Sequence, residues 1–304
     1  MSDQVNQMIQ NEPKQVLKKY GSSFYWASQF LGKTLSHQVA RLYKFCRYVD
    51  NLADSDNPNR ELLLKNIKDH LANEDKKNQP EVVKEFLNLV SECSIPVDAA
   101  EELMEGMLGD QGSVRIADEK ELLRYCHAVA GTVGIMVHSV LNCSQKQSVY
   151  FAIDLGIAMQ LTNIARDVLE DAQIGRRYIP STWLNMEPEK IAQKNSSDKD
   201  VISNATAKLV TLAEKYYESA SRGIYCIPVR SRIAIAIALK LYRQIGIKLV
   251  QNGSQWWKGR TIVSNKKKVL LSIISLNCII MKKVPLHEKK LHKDFQGLSG
   301  VNEF

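Results

Sequence analysis

No proline occurs from Val97 to Ile179, and strand-like alternation of apolar and polar residues is sparse along the whole chain. Proline inside a helix removes a hydrogen bond and clashes with the preceding turn, so a long proline-free stretch with helical periodicity points to helices. The fold is therefore predicted to be all-α. The spacing predicts helices over about 13–30, 33–54, 60–74, 80–93, 97–112, 118–143, 146–174, 198–224, 229–252 and 264–283. Pro96 precedes a run with Asp98, Glu101 and Glu102 in its first turns, where acids complement the helix dipole. Asp118 followed by Glu121 reads as a capping-box-like start. Asn73–Gln79 and Glu187–Asp200 read as polar loops. No boundary divides the chain, so 1–284 is expected to be one domain and 285–304 a basic, loosely attached tail.

Two stretches, Asp50-Asn-Leu-Ala-Asp54 and Asn163-Ile-Ala-Arg-Asp167-Val-Leu-Glu-Asp171, each set two aspartates four residues apart. On a helix that is about one turn, so each pair projects from one face. A solvated face is the ordinary explanation of one such pair, but the flanking residues argue otherwise. Leu35, Val39, Leu42, Cys46, Val49 and Ala53 form an apolar stripe, and Tyr43, Arg47, Asp50 and Asp54 run beside it. Gly156, Gln160, Asn163, Asp167 and Asp171 form one ridge on a segment so apolar that it should be buried. Carboxylates gathered on an inward face are costly unless cations compensate them. Mg²⁺ suits this arrangement, because it takes one or two carboxylates and leaves its other positions to water and phosphate oxygens. Arg47 and Arg166 stand beside the two pairs. Together these features indicate a site for a metal-bridged diphosphate, the alternative for each arginine being an ion pair with its neighbouring aspartate.

Composition sets the wider limits. A chain of 304 residues with 44% hydrophobic and 24% charged side chains can bury a large core and form one large or two small domains. Met1–Asn11 is polar and lacks the apolar core of a signal peptide. The longest apolar run, Val269–Met281, is too short to span a bilayer and contains Ser272, Ser275 and Asn277. The six cysteines form no C-x-x-C pair, which favours reduced thiols in a cytoplasmic protein over disulfides or zinc. Cys46 and Cys126 fall on apolar stripes, and the six histidines show no metal-ligand spacing. Residues 1–152 carry 17 basic and 20 acidic side chains, whereas 228–304 carry 15 basic and 3 acidic. Nucleic acid is disfavoured as the partner of that basic third, since no binding motif accompanies it. Lys266–Lys268, Lys282–Lys283 and Lys289–Lys290 flank the run 269–281, an arrangement suited to peripheral docking on an anionic membrane surface. A solvated basic face is the alternative.

Further motifs occur in a recognisable order: Gly21-Ser-Ser-Phe-Tyr25, Cys46-Arg-Tyr-Val-Asp50-Asn-Leu-Ala-Asp54, Tyr125-Cys-His-Ala-Val-Ala-Gly131-Thr-Val-Gly134 and Gln160-Leu-Thr-Asn-Ile-Ala-Arg-Asp167-Val-Leu-Glu-Asp171. In these the chain resembles the squalene/phytoene synthases over roughly residues 15–270. Ala172-Gln-Ile-Gly-Arg-Arg-Tyr178-Ile-Pro180 and Trp257-Lys-Gly-Arg260-Thr-Ile-Val-Ser264 are similar to the phytoene branch, bacterial members above all.

The resemblance implies an isoprenoid-synthase-type helical bundle around a central apolar cavity. It also implies head-to-head condensation of two geranylgeranyl diphosphates, through a cyclopropyl diphosphate, to phytoene. Asp50, Asp54, Asp167 and Asp171, with Asn163, would hold Mg²⁺, with Mn²⁺ as an alternative. Arg47, Arg166 and Arg260 would bind diphosphate oxygens, and Tyr43, Tyr178 and Tyr242 would donate hydrogen bonds. Ser23, Phe24, Tyr125, Val129, Val133 and Gln160 would line the substrate pocket. Gly131, Gly134 and Gly156 would let helices or prenyl tails approach closely. The chain departs from many members in carrying Asn51 directly after Asp50, where they have a second aspartate.

The nearest alternative keeps the chemistry and takes farnesyl diphosphate, giving presqualene diphosphate, dehydrosqualene or squalene. Squalene formation needs NADPH, a cofactor not expected for the phytoene reading. A non-catalytic helical assembly or membrane-binding protein is a distant third, and the four intact aspartates argue against it. Oligomeric state is not legible in the sequence.

Overall fold

Helices make up the fold, and among the described residues the only strand-like pairing is one isolated bridge between Arg115 and Arg177. The computed structural model describes residues 10–72, 79–280 and 283–301. Residues 1–9, most of the expected 73–79 loop, and Lys282 of the basic flank lie outside the described residues.

The element order is α1 (Pro13–Tyr20), α2 (Ser22–Ser28), α3 (Lys33–Ala53), α4 (Arg60–Ala72), α5 (Glu81–Cys93), α6 (Val97–Gly109), α7 (Glu119–Cys126), a π turn (His127–Gly131) and α8 (Thr132–Val140). Then follow α9 (Ser148–Arg166), α10 (Val168–Gln173), α11 (Pro188–Ala192), α12 (Lys199–Gly223), α13 (Val229–Gln251) and α14 (Asn265–Ser275). Central α9 packs against α8, the π turn, α12 and α13. Its Ile153, Ile157, Leu161 and Ala165 are fully buried, as its apolar composition requires. It is also the one described helix long and apolar enough to cross a membrane, and most of it is buried inside the protein.

Helix starts follow local chemistry. Asp118 Oδ1 accepts the Glu121 N–H at 2.8 Å. Glu121 reaches back to the N–H of Ala117 at 2.6 Å, one residue earlier than a capping box requires. Where α9 crosses the π turn, a Cβ on Gly156 would overlap the carbonyl oxygen of Ala130, and where it crosses α8, one on Gly134 would overlap that of Ala152. Only glycine permits this backbone-to-backbone approach.

Several expected boundaries are corrected. The span 13–30 is two helices interrupted at Gly21, and 118–143 is broken by the π turn, a feature frequent at functional sites. The span 146–174 bends at Asp167, whose φ of −105° and ψ of 16° leave helical geometry. The expected loop 187–200 contains α11, because Pro188 opens a helical turn that buries Ile191. The span 264–283 ends as helix at Ser275 and passes into a 3-10 turn over Leu276–Ile279.

The segment after 284, expected to be loose, is docked on the core. His287 and His292 donate from Nε2 to the two carboxylate oxygens of Asp154 in α9, at 2.8 and 2.7 Å. Ser219 of α12 donates to the same carboxylate at 2.5 Å, and Phe295 is fully buried beside His292. A buried carboxylate must find such partners, and here the C-terminal segment supplies them. This cluster also gives two histidines a role that their spacing did not suggest.

Candidate active site

Helix α3 ends at Ala53, so Asp50 occupies its last turn and Asp54 its C-cap, both lining a cavity of about 830 Å³. Opposite them, the bend between α9 and α10 presents the second pair. The Asp167 N–H still bonds the Asn163 carbonyl, and the Asp171 N–H bonds the Asp167 carbonyl, both at 2.9 Å. One-turn spacing thus survives the bend, and Asp167 and Asp171 face the same cavity as Asp50 and Asp54.

Cations interleave with these carboxylates. Arg47 Nη1 donates to Asp50 Oδ2 at 2.6 Å. Arg166 grips Asp167 through two hydrogen bonds of 2.8 and 2.6 Å, and Arg260 adds a contact of 2.9 Å to the same carboxylate. The neighbour ion pairs weighed for Arg47 and Arg166 therefore exist, within the cavity lining itself. Arg176 donates to Asp54 Oδ1 at 2.7 Å and to the Asp110 carbonyl at 3.1 Å.

Asp110, at the C-cap of α6, is a fifth carboxylate in the cavity. Its Oδ2 accepts from Tyr125 Oη at 2.8 Å and Tyr178 Oη at 3.2 Å, and the two rings stack with centroids 4.9 Å apart. Desolvation pushes Asp50 up to about 6, with Asp54 and Asp110 adding and Arg47 opposing. Asp110 is likewise pushed up to about 6 by desolvation, against its tyrosine hydrogen bonds and Arg176. Asp171 is held well above the usual carboxylate range by burial and by Asp167. Carboxylates that resist ionising are those a divalent cation would stabilise most.

Behind the polar cavity lies an apolar chamber of about 290 Å³. Phe24, Tyr43, Val129, Val133, Asn163 and Tyr242 line both spaces, so the two adjoin. Phe24 packs against Tyr242 and Tyr43, with ring centroids 4.9 and 6.0 Å apart. Burial raises both tyrosine hydroxyls above their ordinary value, so they are protonated donors. Gly134 and Gly156 line the apolar chamber, while Gly131 is buried in the π turn.

Apart from Gly131, every site residue named from the sequence lines one of these two spaces. Ser23, Phe24, Tyr43, Arg47, Asp50, Asp54, Tyr125, Val129, Val133, Gln160, Asn163, Arg166, Asp167, Asp171, Tyr178, Tyr242 and Arg260 line the polar cavity. Asp110, Arg176 and Lys268 were missed. Asp110 has no acidic partner one turn away, so spacing carries no signal for it. Arg176 lies inside the quoted Gly-Arg-Arg-Tyr178 motif, and only the fold separates it from Arg177. The latter is buried and donates to the carbonyls of Ile179 and Leu184 and to Ser181.

The donor set fits a hard divalent cation. Five carboxylates face one space, and the buried Oδ1 of Asn163 has no hydrogen-bond partner among the described residues. Oxygen-only donors of this kind are what Mg²⁺ takes. The buried Nε of Arg47 is also unpartnered among the described residues and offers a donor to a phosphate oxygen.

Comparison with known proteins agrees with this geometry. The family described as squalene/phytoene synthase matches residues 17–267. The chain is 34% identical over 283 residues to the 15-cis-phytoene synthase of Enterobacter agglomerans, covering 87% of this chain and 94% of that one. It is 29% identical over 297 residues to the 15-cis-phytoene synthase of Pantoea ananas, covering 93% and 96%. Among solved structures, a dehydrosqualene synthase in complex with ligand superposes with a TM-score of 0.76 at 27% identity, covering 90% of this chain and 97% of that one. Squalene synthase HpnC from Alicyclobacillus acidocaldarius superposes with a TM-score of 0.71 at 19% identity, over 83% and 97%, which speaks to the fold alone.

Proposed function

The chain belongs to the squalene/phytoene synthase family, and we propose that it condenses two geranylgeranyl diphosphates head-to-head to phytoene. The observation that carries this reading is the junction of a carboxylate- and arginine-lined cavity with an apolar chamber. The charged end suits a diphosphate and the greasy end a prenyl tail. Bacterial relatives named 15-cis-phytoene synthase, matched over most of their length, favour the longer substrate.

In this reading Arg47, Arg166, Arg176, Arg260 and Lys268 bind diphosphate oxygens, and Tyr43, Tyr178 and Tyr242 donate hydrogen bonds to them. Mg²⁺, or Mn²⁺ in its place, held by Asp50, Asp54, Asn163, Asp167 and Asp171, would neutralise charge developing on the leaving diphosphate. The C1–O bond of one substrate breaks with its electron pair leaving on diphosphate, and the double bond of the second substrate attacks the allylic cation. Loss of a proton closes the cyclopropane. A second ionisation releases the other diphosphate, and rearrangement with loss of another proton gives the hydrocarbon. Phe24, Val129 and Val133 keep water from the cations. Ser23, Tyr125, Gly156 and Gln160 shape the space around the tails, with Tyr125 and Tyr178 fixed by their shared hold on Asp110.

A second reading keeps these steps and takes farnesyl diphosphate, as the likeness to the dehydrosqualene synthase structure suggests. Supplying each diphosphate separately with Mg²⁺ and no NADPH, and weighing the extracted product, separates them. A C40 hydrocarbon from the longer substrate is expected. A C30 product made only from the shorter one would replace the first reading with the second.

A further inference from the structure

Helix α14 turns its polar side inward. Its buried positions are Lys268, Leu271, Ser272 and Ser275, and Trp26 of α2 donates its indole N–H to Ser272 Oγ at 2.9 Å. After the exposed Asn265 and Lys266 of its first turn, its outward positions are Val269, Leu270, Ile273 and Ile274, which are 47, 48, 59 and 42% exposed. The apolar run continues past the helix through Leu276, Ile279 and Ile280, the last of them 68% exposed. A surface helix of a water-facing domain is arranged the other way, with its apolar stripe on the core. An exposed apolar run of this length with a charged rim marks an interaction surface.

The rim decides which partner fits. Lys266 and Lys283 are exposed at the two ends of the run, and no acidic residue occurs between Glu218 and Glu288. A second copy docked on this face by a two-fold axis would set lysines against lysines. An anionic bilayer accommodates both features, taking apolar side chains at the headgroup–acyl boundary and ammonium groups among the phosphates. We propose that the outward face of α14 and the turn after it docks the protein on the surface of an anionic phospholipid bilayer.

The position adds a consequence. Arg260 and Val263, leading into α14, and its Asn265 and Lys268 line the catalytic cavity, so the docked face adjoins that cavity. Delivery of a water-insoluble hydrocarbon into the bilayer follows from this adjacency and rests on the proposed function. The docking itself rests on the exposed face alone.

Vesicle co-sedimentation of the full chain tests the proposal without any substrate. Wild-type protein should bind vesicles of phosphatidylglycerol in phosphatidylcholine, bind pure phosphatidylcholine weakly, and be released by high salt. Replacing Lys266, Lys267 and Lys283 by Gln should weaken binding by about fivefold per lysine. Ile273→Asn with Ile280→Asn should weaken it more than about tenfold. Both variants should keep wild-type helical content, melting temperature and turnover in detergent micelles. Absent binding to anionic vesicles, or variants that bind like wild type, would overturn the proposal. So would a dimer in sedimentation velocity that the isoleucine changes dissolve with vesicle binding unaltered. Vesicle binding as expected with no prenyl turnover would instead count against the proposed function and leave the docking intact.

Discussion

Arg176 and Asp54, 122 residues apart in the chain, are joined by an ion pair of 2.7 Å in the lining of the polar cavity. The contact locks the loop after the second aspartate motif to the end of the first. Because Arg176 also bonds the backbone carbonyl of Asp110, it ties together two of the carboxylate-bearing residues of the cavity. Arg176→Ala should raise the Mg²⁺ concentration needed for half-maximal turnover by about 10–100-fold, as loss of a group orienting metal ligands does. Lysine should restore only part of this, having no planar fork. An unchanged Mg²⁺ titration in Arg176→Ala would remove the residue from this role.

The raised carboxylates give a pH dependence with a defined sign. Asp50 and Asp110 rise from an ordinary value of 3.8 to about 6 in the fold. Their contribution to stability is fully present below about 3.8 and is lost as pH rises to about 6, because the fold then holds charges it disfavours. A bound divalent cation reverses the penalty. The rise in melting temperature on adding Mg²⁺ should therefore be small near pH 5 and large near pH 7.5, as read by a thermal shift titration. Equal shifts at the two pH values would contradict the assignment of Asp50 to the cation site.

Gly156 is tested through the helix crossing it permits. A Cβ there would overlap the Ala130 carbonyl oxygen, whereas one on Gly109 would meet nothing within 4 Å. Gly156→Ala should destabilise the protein by about 1–3 kcal/mol, the usual cost of overpacking. Gly109→Ala should be neutral or slightly stabilising. Chemical denaturation of the pair measures both, and equal stabilities would refute the close crossing.

The C-terminal segment should come away when its anchor is removed. Burial alone would raise Asp154, but hydrogen bonds from His287 and His292 outweigh it and hold the carboxylate below its usual range. Asp154→Ala leaves two imidazoles and Ser219 without their acceptor and should cost about 3 kcal/mol or more. Hydrogen exchange over 285–301 should then rise well before exchange elsewhere. Burial also lowers His292, so its docked neutral form contributes fully above 6.5 and is lost as pH falls below that value. Exchange in the segment should accordingly rise on acidification from pH 7 to pH 5. A segment equally protected in wild type and variant would show that the anchor holds nothing.

The parts of the site that could be read in advance are those where helical period alone sets geometry. Gly156, Gln160, Asn163, Asp167 and Asp171 share a ridge because 3.6 residues make a turn, and the bend at Asp167 preserves that spacing. Asp110 was invisible for the converse reason. Its partners Tyr125, Tyr178 and Arg176 come from two other segments, and only tertiary folding brings them together. The clasp of Asp154 with His287 and His292 likewise spans 133 and 138 residues. Helix α14 misled in another way. Its run of apolar residues was legible, but not that Ser272 and Ser275 face the core while Ile273 and Ile274 face outward, since that follows from partners such as Trp26.

The central claim is that the two aspartate pairs form one site that ionises prenyl diphosphates. It is tested most directly by measuring diphosphate release and C40 hydrocarbon together, in wild type and in the Asp50→Asn and Asp171→Asn variants. With geranylgeranyl diphosphate and Mg²⁺, wild type should release two diphosphates for each hydrocarbon. Each variant should lose both products by about a hundredfold or more, with helical content unchanged. Variants that fold and still turn over within a few-fold of wild type would contradict the account.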